Sequence, residues 1–151
     1  MTMPTRASSW TPARWFLLVF AIVHLPLGIA GLFVDRSFPI GPAATRAGDP
    51  AHLFGVLETN GWHSLGALLL GALATAVLIR PGRERAVALA IGALHVWLVV
   101  SLVLWEPSTF LIRSNAADQF VHAASAVGGL ASGLLTRTTA TFSARAAGRE
   151  R

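Results

Sequence analysis

Four histidines and one aspartate lie within or at the edge of the apolar parts of this chain, and they are the residues best suited to chemistry. They are His24, His63, His95, Asp118 and His122. His24 and His95 each fall near the middle of a long apolar run. A pair of imidazoles on facing helices can bind haem b as its two axial ligands. One hypothesis is therefore a haem b cofactor held between His24 and His95.

The other three residues suggest a different site. Asp118 and His122 are four residues apart and would share one face of a helix. Together with His63 they would supply two imidazoles and one carboxylate, a ligand set suited to zinc or non-haem iron. The aspartate could instead fix the tautomer of a histidine without touching a metal. A metal site formed by His63, Asp118 and His122 is the second hypothesis.

Two further interpretations use the same side chains. Acidic groups near one end of the apolar runs could collect cations for a proton or ion path; these are Glu58, Glu106 and Asp118. Alternatively, an interior polar cluster only joins the helices, through hydrogen bonds worth about 0.6 to 2 kcal/mol each. Its members are Asn60, His63, Asn115, Asp118 and His122. Because such contacts are expected in any membrane bundle, the main expectation is a structural or partner-binding membrane module.

Motifs of common enzymes do not occur in the sequence. It contains no G-x-S-x-G, no P-loop and no H-E-x-x-H. Ser64 follows His63 directly, and adjacent residues on a helix point apart, so the two are not a nucleophile and its base. No catalytic residue is predicted, and the expectation leans away from an enzyme.

The composition is that of an integral membrane protein. Apolar residues make up 54% of the chain and charged residues 13%, against about a quarter charged in ordinary globular proteins. The absence of cysteine excludes disulfides and thiolate metal sites, and the absence of lysine excludes Schiff-base chemistry. The net charge of +5 comes from arginines in short pieces between apolar runs. The expected partner is therefore the lipid bilayer and not nucleic acid.

Four apolar runs are long enough to cross a bilayer. At 1.5 Å per residue, a helix of about twenty residues spans a hydrocarbon core of roughly 30 Å. The predicted fold is an all-α four-transmembrane-helix bundle, with spans at about 15–34, 61–79, 86–105 and 116–135. Residues 1–14 and 136–151 are predicted to be cytoplasmic tails, the second one disordered. Asp49-Pro50 resembles a helix start, which predicts a short interfacial helix at 51–57.

The arginines predict the orientation. Nine of the twelve lie in the two tails and the central turn, and the other three are Arg36, Arg46 and Arg113. Arginine is enriched on the cytoplasmic side of membrane proteins. The sequence therefore predicts a multi-pass protein of the bacterial inner (plasma) membrane with both termini in the cytoplasm.

The two halves of the chain resemble each other. Asn60 aligns with Asn115 and His24 with His95, which predicts two parallel helical-hairpin repeats. Small residues recur at four-residue spacing beside each histidine, a pattern that lets helices approach closely in a bilayer. The histidines should therefore face the interior of the bundle. The same pattern leaves open association with other membrane proteins or with a second copy.

Two short motifs carry a resemblance to a known family. Asn60-x-x-His63 opens the second span, and Asn115-x-Ala117-Asp118-x-x-x-His122 opens the fourth. In these motifs the chain resembles an uncharacterised bacterial membrane family, domain of unknown function 4383, over about residues 15–135. Members often carry a further histidine where this chain has Ala67. The resemblance implies the fold and the membrane location, and it implies no activity.

Overall fold

The computed structural model describes residues 10–40, 51–104, 112 and 114–149, with side chains described as far as Thr136. This part of the chain forms four helices and one small β-hairpin. The elements are α1 (Pro12–Val34), β1 (Ala51–Leu53), β2 (Leu57–Thr59), α2 (Gly61–Ile79), α3 (Glu84–Leu104) and α4 (Ala116–Arg149). The prediction of an all-α protein with four helices is confirmed, with a two-stranded sheet as a minor addition.

The helices begin where side chains can satisfy their first free N–H groups. Thr11 caps α1 by accepting a hydrogen bond from the backbone N–H of Arg14, and Pro12 is the first helical residue. Asn60 caps α2 in the same way, with Oδ1 2.9 Å from the backbone nitrogen of His63. At the far end, α2 stops at Ile79, before a turn in which Gly82 has a φ of 121°.

Within the described residues, three helices are long and apolar enough to cross a membrane, namely α1, α2 and α3. These correspond to the first three predicted spans. The fourth predicted span, at 116–135, lies in α4, and its crossing of the membrane stays a prediction. Trp105, at the predicted end of the third span, lies outside the described residues.

The connection between α1 and α2 differs from the prediction. Residues 51–57 were expected to form an interfacial helix, but 51–59 form an antiparallel hairpin in which Leu53 pairs with Leu57. The predicted helix start, Asp49-Pro50, lies outside the described residues.

Backbone geometry at the hairpin tip gives the physical reason for this difference. Phe54 and Gly55 have φ values of 54° and 72°. Successive positive φ angles are the sign pattern of the type I′ hairpin turn and are incompatible with a right-handed helix. The turn is closed by a 3.2 Å hydrogen bond from the N–H of Val56 to the carbonyl of Leu53. The Phe-Gly pair therefore overrides the helix-start signal that precedes it.

The helix that contains the fourth predicted span is longer than expected. The sequence predicted a span ending at Leu135 and a disordered tail from Thr136, whereas α4 continues to Arg149. Between Thr136 and Ala147 the sequence contains neither glycine nor proline and is rich in alanine, the residue with the highest helix propensity.

The four helices pack most extensively as two pairs, α1 with α2 and α3 with α4. Small residues set the close approach in each pair. A Cβ added at Gly28 would lie 2.6 Å from the backbone nitrogen of Leu68 on α2. One added at Gly92 would lie 2.7 Å from the backbone nitrogen of Leu130 on α4. The small residues that recur at four-residue spacing along the helices therefore face inward, as predicted.

An apolar core fills the end of the bundle that carries Arg14 and Glu84. Its buried side chains come from α1, α2 and α3 and include Leu17, Phe20 and Ile91. At this end a guanidinium nitrogen of Arg14 lies 3.9 Å from the carboxylate of Glu84. The core closes one end of the bundle, and the hairpin lies at the opposite end.

A candidate histidine-lined site

A cavity of about 360 Å³ lies between the two helix pairs. All four membrane-region histidines line it, and we call it the histidine pocket. His24 and His63 come from the α1–α2 pair, whereas His95 and His122 come from the α3–α4 pair. The rest of its lining is mostly apolar and includes residues of the hairpin. The residues of the two sites that the sequence suggested separately thus line one pocket.

The imidazole rings form a continuous row. Ring centroids are 5.9 Å apart for His24 and His95, 5.5 Å for His95 and His122, and 5.6 Å for His122 and His63. Two of these contacts, His24 with His95 and His63 with His122, cross from one helix pair to the other. A ligand placed between the pairs would therefore have imidazoles on both sides.

Backbone hydrogen bonds fix three of the rings. The Nδ1 atom of His24 lies 3.0 Å from the carbonyl of Phe20, and that of His95 lies 2.8 Å from the carbonyl of Ile91. A carbonyl only accepts, so Nδ1 must carry the proton in both rings. A neutral imidazole in this tautomer presents the Nε2 lone pair, which is the arrangement found in metal-binding histidines.

His63 is fixed in the same manner by the hairpin. Its Nδ1 lies 3.0 Å from the carbonyl of Glu58, so it too presents Nε2 as an acceptor. The backbone nitrogen of Glu58 in turn donates to Oδ2 of Asp118 at 3.0 Å. The backbone of a single hairpin residue, Glu58, thus connects the carboxylate of Asp118 on α4 to the imidazole of His63 on α2.

His122 differs from the other three. It is 6% exposed, and within the described part of the chain neither of its ring nitrogens has a hydrogen-bond partner. Leaving a buried polar group unpaired costs about 1 to 3 kcal/mol, so such groups need an explanation. A bound ligand that engages this ring would remove the cost.

Phe20 packs against two of the histidines that line the pocket. Its ring stacks on His24 with a centroid distance of 3.7 Å and an interplanar angle of 14°, and it lies 5.6 Å from His95. Sequence analysis did not single out Phe20. Its position four residues before His24 was the available signal, because residues four apart on a helix touch.

Asp118 and the two asparagines have clear structural roles. Oδ1 of Asn115 accepts from the backbone nitrogens of Ala117 and Asp118, and Oδ2 of Asp118 accepts from that of Asn115. This reciprocal pattern is a capping box at the start of α4. The side-chain nitrogen of Asn115 also donates to the carbonyl of Val56 in the hairpin. These contacts join α4 to the hairpin.

The interior polar cluster expected from the sequence therefore divides into two groups. Asn60, Asn115 and Asp118 cap helices and anchor the hairpin, while His63 and His122 line the pocket, and Asp118 belongs to both groups because it also lines the pocket. Among the described residues, no group of three or more His, Asp or Glu side chains is placed to hold a metal ion. A metal site at His63, Asp118 and His122 stays a prediction, and Oδ2 of Asp118 already accepts two backbone hydrogen bonds.

Two small residues on α2 also line the pocket, and sequence analysis gave them no role in a site. They are Gly66 and Ala67. A Cβ added at Gly66 would meet nothing within 4 Å. Small side chains on this side therefore leave the volume open.

Comparisons with known proteins place the chain in a family. No curated protein matches it, and no solved structure matches it. The family model described as "Domain of unknown function (DUF4383)" matches residues 14–135. This range contains α1 from Arg14 onward, the hairpin, α2, α3, the part of α4 up to Leu135, and all four histidines of the pocket. The chain therefore belongs to the DUF4383 family of domains of unknown function.

Proposed function

We propose that this chain is a multi-pass plasma-membrane protein with four spans and cytoplasmic termini, and that its histidine pocket binds a metal-containing ligand. The observation that carries the binding proposal is the fixed orientation of the imidazoles. Three rings have Nδ1 bonded to a backbone carbonyl, which leaves three Nε2 lone pairs for a ligand. Lone pairs bind electron-pair acceptors, and neutral imidazole is the commonest protein ligand of metals.

Helix packing and the burial of polar side chains support a fourth span. α4 packs against α3 along a small-residue contact at Gly92 and Gly129, the kind of contact that joins helices in a bilayer. Its buried polar side chains, Asp118, His122 and Ser125, face the bundle interior. Polar groups in a span are expected to point away from lipid.

A purely structural or partner-binding module, the main expectation from the sequence, accounts for the caps and does not account for the histidines. If the histidines only joined helices, their rings would hydrogen-bond across the bundle. His24 and His95 instead bond to carbonyls of their own helices, and the nitrogens of His122 are unpartnered among the described residues. The size and the mostly apolar lining of the pocket are typical of small-molecule sites, which measure about 300 to 1,000 Å³.

The apolar core argues against a proton or ion path. A path needs polar groups or water along the full depth of the membrane. Below the pocket the packed side chains of Leu17, Phe20 and Ile91 are apolar and almost fully buried. The row of imidazoles therefore has an apolar barrier at its inner end, as expected of a binding pocket.

The test is the metal content of the purified protein. The full chain would be expressed in bacteria, purified in mild detergent and measured for iron, zinc, copper and manganese, alongside His95→Ala and the control His52→Ala. His52 lies on β1 and is exposed. We expect close to one metal per chain in the wild type and in the control, and a several-fold loss in His95→Ala.

Elution volume and helical circular dichroism would show whether His95→Ala remains folded. Background metal in the wild type would contradict the proposed function. So would equal metal content in the wild type and a correctly folded His95→Ala variant.

A further inference from the structure

We infer that the histidine pocket opens sideways to the bilayer through a gap between α2 and α3, and that an acyl chain of a membrane phospholipid occupies its apolar side. This inference goes beyond metal binding and rests only on the membrane location in the proposed function. Three observations carry it: the limited contact between α2 and α3, the exposure of the side chains at the edge of the pocket, and the depth at which that edge lies.

The gap lies where the two helix pairs meet on the side of α2 and α3. Each of these helices packs extensively within its own pair, whereas α2 and α3 touch each other much less. Both still contribute to the lining of the pocket, α2 through Gly66 and Leu69 and α3 through Leu94 and Trp97. The pocket therefore extends to the space between these two helices.

Three large apolar side chains form the rim of the gap, because they line the pocket and are also exposed on the bundle. Leu69 is 60% exposed, Trp97 53% and Leu94 38%. Further inside, the lining residues Leu98 and His95 are buried. A wall that passes from buried to exposed residues marks an opening, so the pocket can be entered from the side.

The rim lies at the depth of the hydrocarbon core. Leu69 is near the middle of α2 and Leu94 is near the middle of α3, and both helices are long and apolar enough to cross a membrane. The middle of a span lies near the midplane of a hydrocarbon core roughly 30 Å thick. An opening at this depth faces the ends of lipid acyl chains and not water.

An acyl chain is the occupant that this opening favours. The pocket has a volume of about 360 Å³ and a mostly apolar lining, and the leucines of its rim offer water no hydrogen bonds. If the space were empty, the atoms of the lining would lack dispersion contacts. A chain that enters from the adjoining lipid supplies these contacts and exposes no apolar surface to water.

The shape of the lining suits a narrow chain and not a flat cofactor. The ring of the buried Phe20 is 3.7 Å from that of His24 and 5.6 Å from that of His95. It lies where a porphyrin plane between these two histidines would pass, so the lining does not fit haem b. On the side of the gap, a Cβ added at Gly66 would meet nothing within 4 Å, which leaves room for a chain.

Acidic residues determine which part of the lipid enters. Asp118 and Glu58 line the pocket at the hairpin end, and their carboxylates would repel a phosphate group or the carboxylate of a free fatty acid. The headgroup of the phospholipid therefore stays at the membrane surface, and only the chain enters the gap. The buried imidazoles remain available to the metal-containing ligand.

The test is photocrosslinking of the purified full chain in phosphatidylcholine vesicles. The vesicles would contain a phosphatidylcholine with a diazirine near the methyl end of one chain, and crosslinked residues would be identified by mass spectrometry. Ile22, which is exposed near the middle of α1, reports ordinary lipid contact. Leu98 lines the pocket and is only 8% exposed. We expect crosslinks at both residues.

A steric variant closes the gap with all histidines in place. Gly66→Leu adds a side chain at a position where a Cβ has open space, so it should fold. It should lower the crosslinking of Leu98 several-fold and leave that of Ile22 unchanged. The matched control is Ala72→Leu, at an exposed position of the same helix and away from the pocket, and it should crosslink like the wild type. Helical circular dichroism would show that both variants are folded.

The outcomes separate this inference from the proposed function. Crosslinks at Ile22 without crosslinks at Leu98 in the wild type would overturn the inference, as would equal crosslinking of Leu98 in the wild type and a folded Gly66→Leu variant. Crosslinking of Leu98 by a diazirine-bearing fatty acid but not by the phosphatidylcholine would overturn the phospholipid as the source of the chain. None of these results changes the metal content, which tests metal binding separately. A folded wild-type chain with no lipid crosslinks at all would overturn both the membrane location and this inference.

Discussion

His24 and His95 occupy equivalent places in the two halves of the protein, with their ring centroids 5.9 Å apart. Each ring is bonded through Nδ1 to the backbone carbonyl four residues earlier, that of Phe20 or of Ile91. Each ring is also buried near the middle of its helix. The same local geometry therefore occurs once in each helix pair, and the two copies meet in one pocket.

The packing of α3 on α4 can be tested at Gly92. A Cβ at this position would lie 2.7 Å from the backbone nitrogen of Leu130, and backbone cannot move aside cheaply. Gly92→Val is therefore expected to lower the free energy of unfolding by about 1 to 3 kcal/mol. Thermal unfolding in detergent would measure it.

Gly66→Ala is the matched control for Gly92→Val, because its added Cβ has open space. The control should not lower the melting temperature. A Gly92→Val protein as stable as the wild type would mean that α3 and α4 are farther apart than described.

The connection of the hairpin to α4 depends on Asp118. In Asp118→Ala the backbone N–H groups of Glu58 and Asn115 lose their acceptor. Loss of hydrogen bonds to a carboxylate costs about 1.5 to 3 kcal/mol. Amide hydrogen exchange in the peptide 51–59 should become faster, because the hairpin loses the bond from the N–H of Glu58 that helps hold it against α4.

The control is Asp35→Ala, whose carboxylate accepts a bond from the exposed backbone of Ser37. It should leave exchange in 51–59 unchanged. Equal exchange in Asp118→Ala and the wild type would show that other contacts hold the hairpin.

Membrane orientation can be tested by single-cysteine labelling, since the natural chain contains no cysteine. Phe54→Cys lies at the exposed hairpin tip, and Arg83→Cys lies in the turn between α2 and α3. With cytoplasmic termini, a membrane-impermeant maleimide should label Phe54→Cys in intact cells and Arg83→Cys only after lysis. The reverse pattern would invert the proposed topology.

The hairpin tip stores backbone strain that one substitution can release. Phe54 has a φ of 54° and is 76% exposed. A non-glycine residue in the left-handed region costs roughly 1 to 2 kcal/mol, and the exposed ring contributes little packing inside the protein. Phe54→Gly should therefore raise the melting temperature of the detergent-solubilised protein by a few degrees.

The comparison for Phe54→Gly is Val56→Gly, at another exposed position of the turn, where no positive φ is present. That variant should be no more stable than the wild type. Stabilisation by both substitutions would mean that strain at Phe54 is not the cause.

The local features of the fold could be predicted from the sequence because each depends on neighbours in the chain. The bounds of α2 agree with the predicted span 61–79, since Asn60 caps its start and Pro81-Gly82 follows its end. The equivalence of Asn60 and Asn115 is visible in their identical role as caps. The inward orientation of the small residues could also be predicted, because residues spaced four apart share one face of a helix.

The hairpin could not be predicted with the same certainty, because two local signals competed. Asp49-Pro50 favours a helix start, while Phe54-Gly55 permits the positive φ angles of a tight turn. The turn is supported by contacts from a distant part of the chain, where Asn115 and Asp118 bond to the hairpin backbone. A local pattern contains no information about these partners.

The sequence by itself predicted a bundle of four helices, the first three of which the structure shows to be long and apolar enough to cross a membrane, and one inward-facing histidine in each predicted span. These properties follow from composition, capping residues and helical periodicity. Only the tertiary structure decided that the four histidines share one pocket and that Asp118 serves the hairpin. The reason is that distances between residues on different helices depend on how closely the backbones approach, and glycines such as Gly28 and Gly92 set that approach through contacts far apart in sequence.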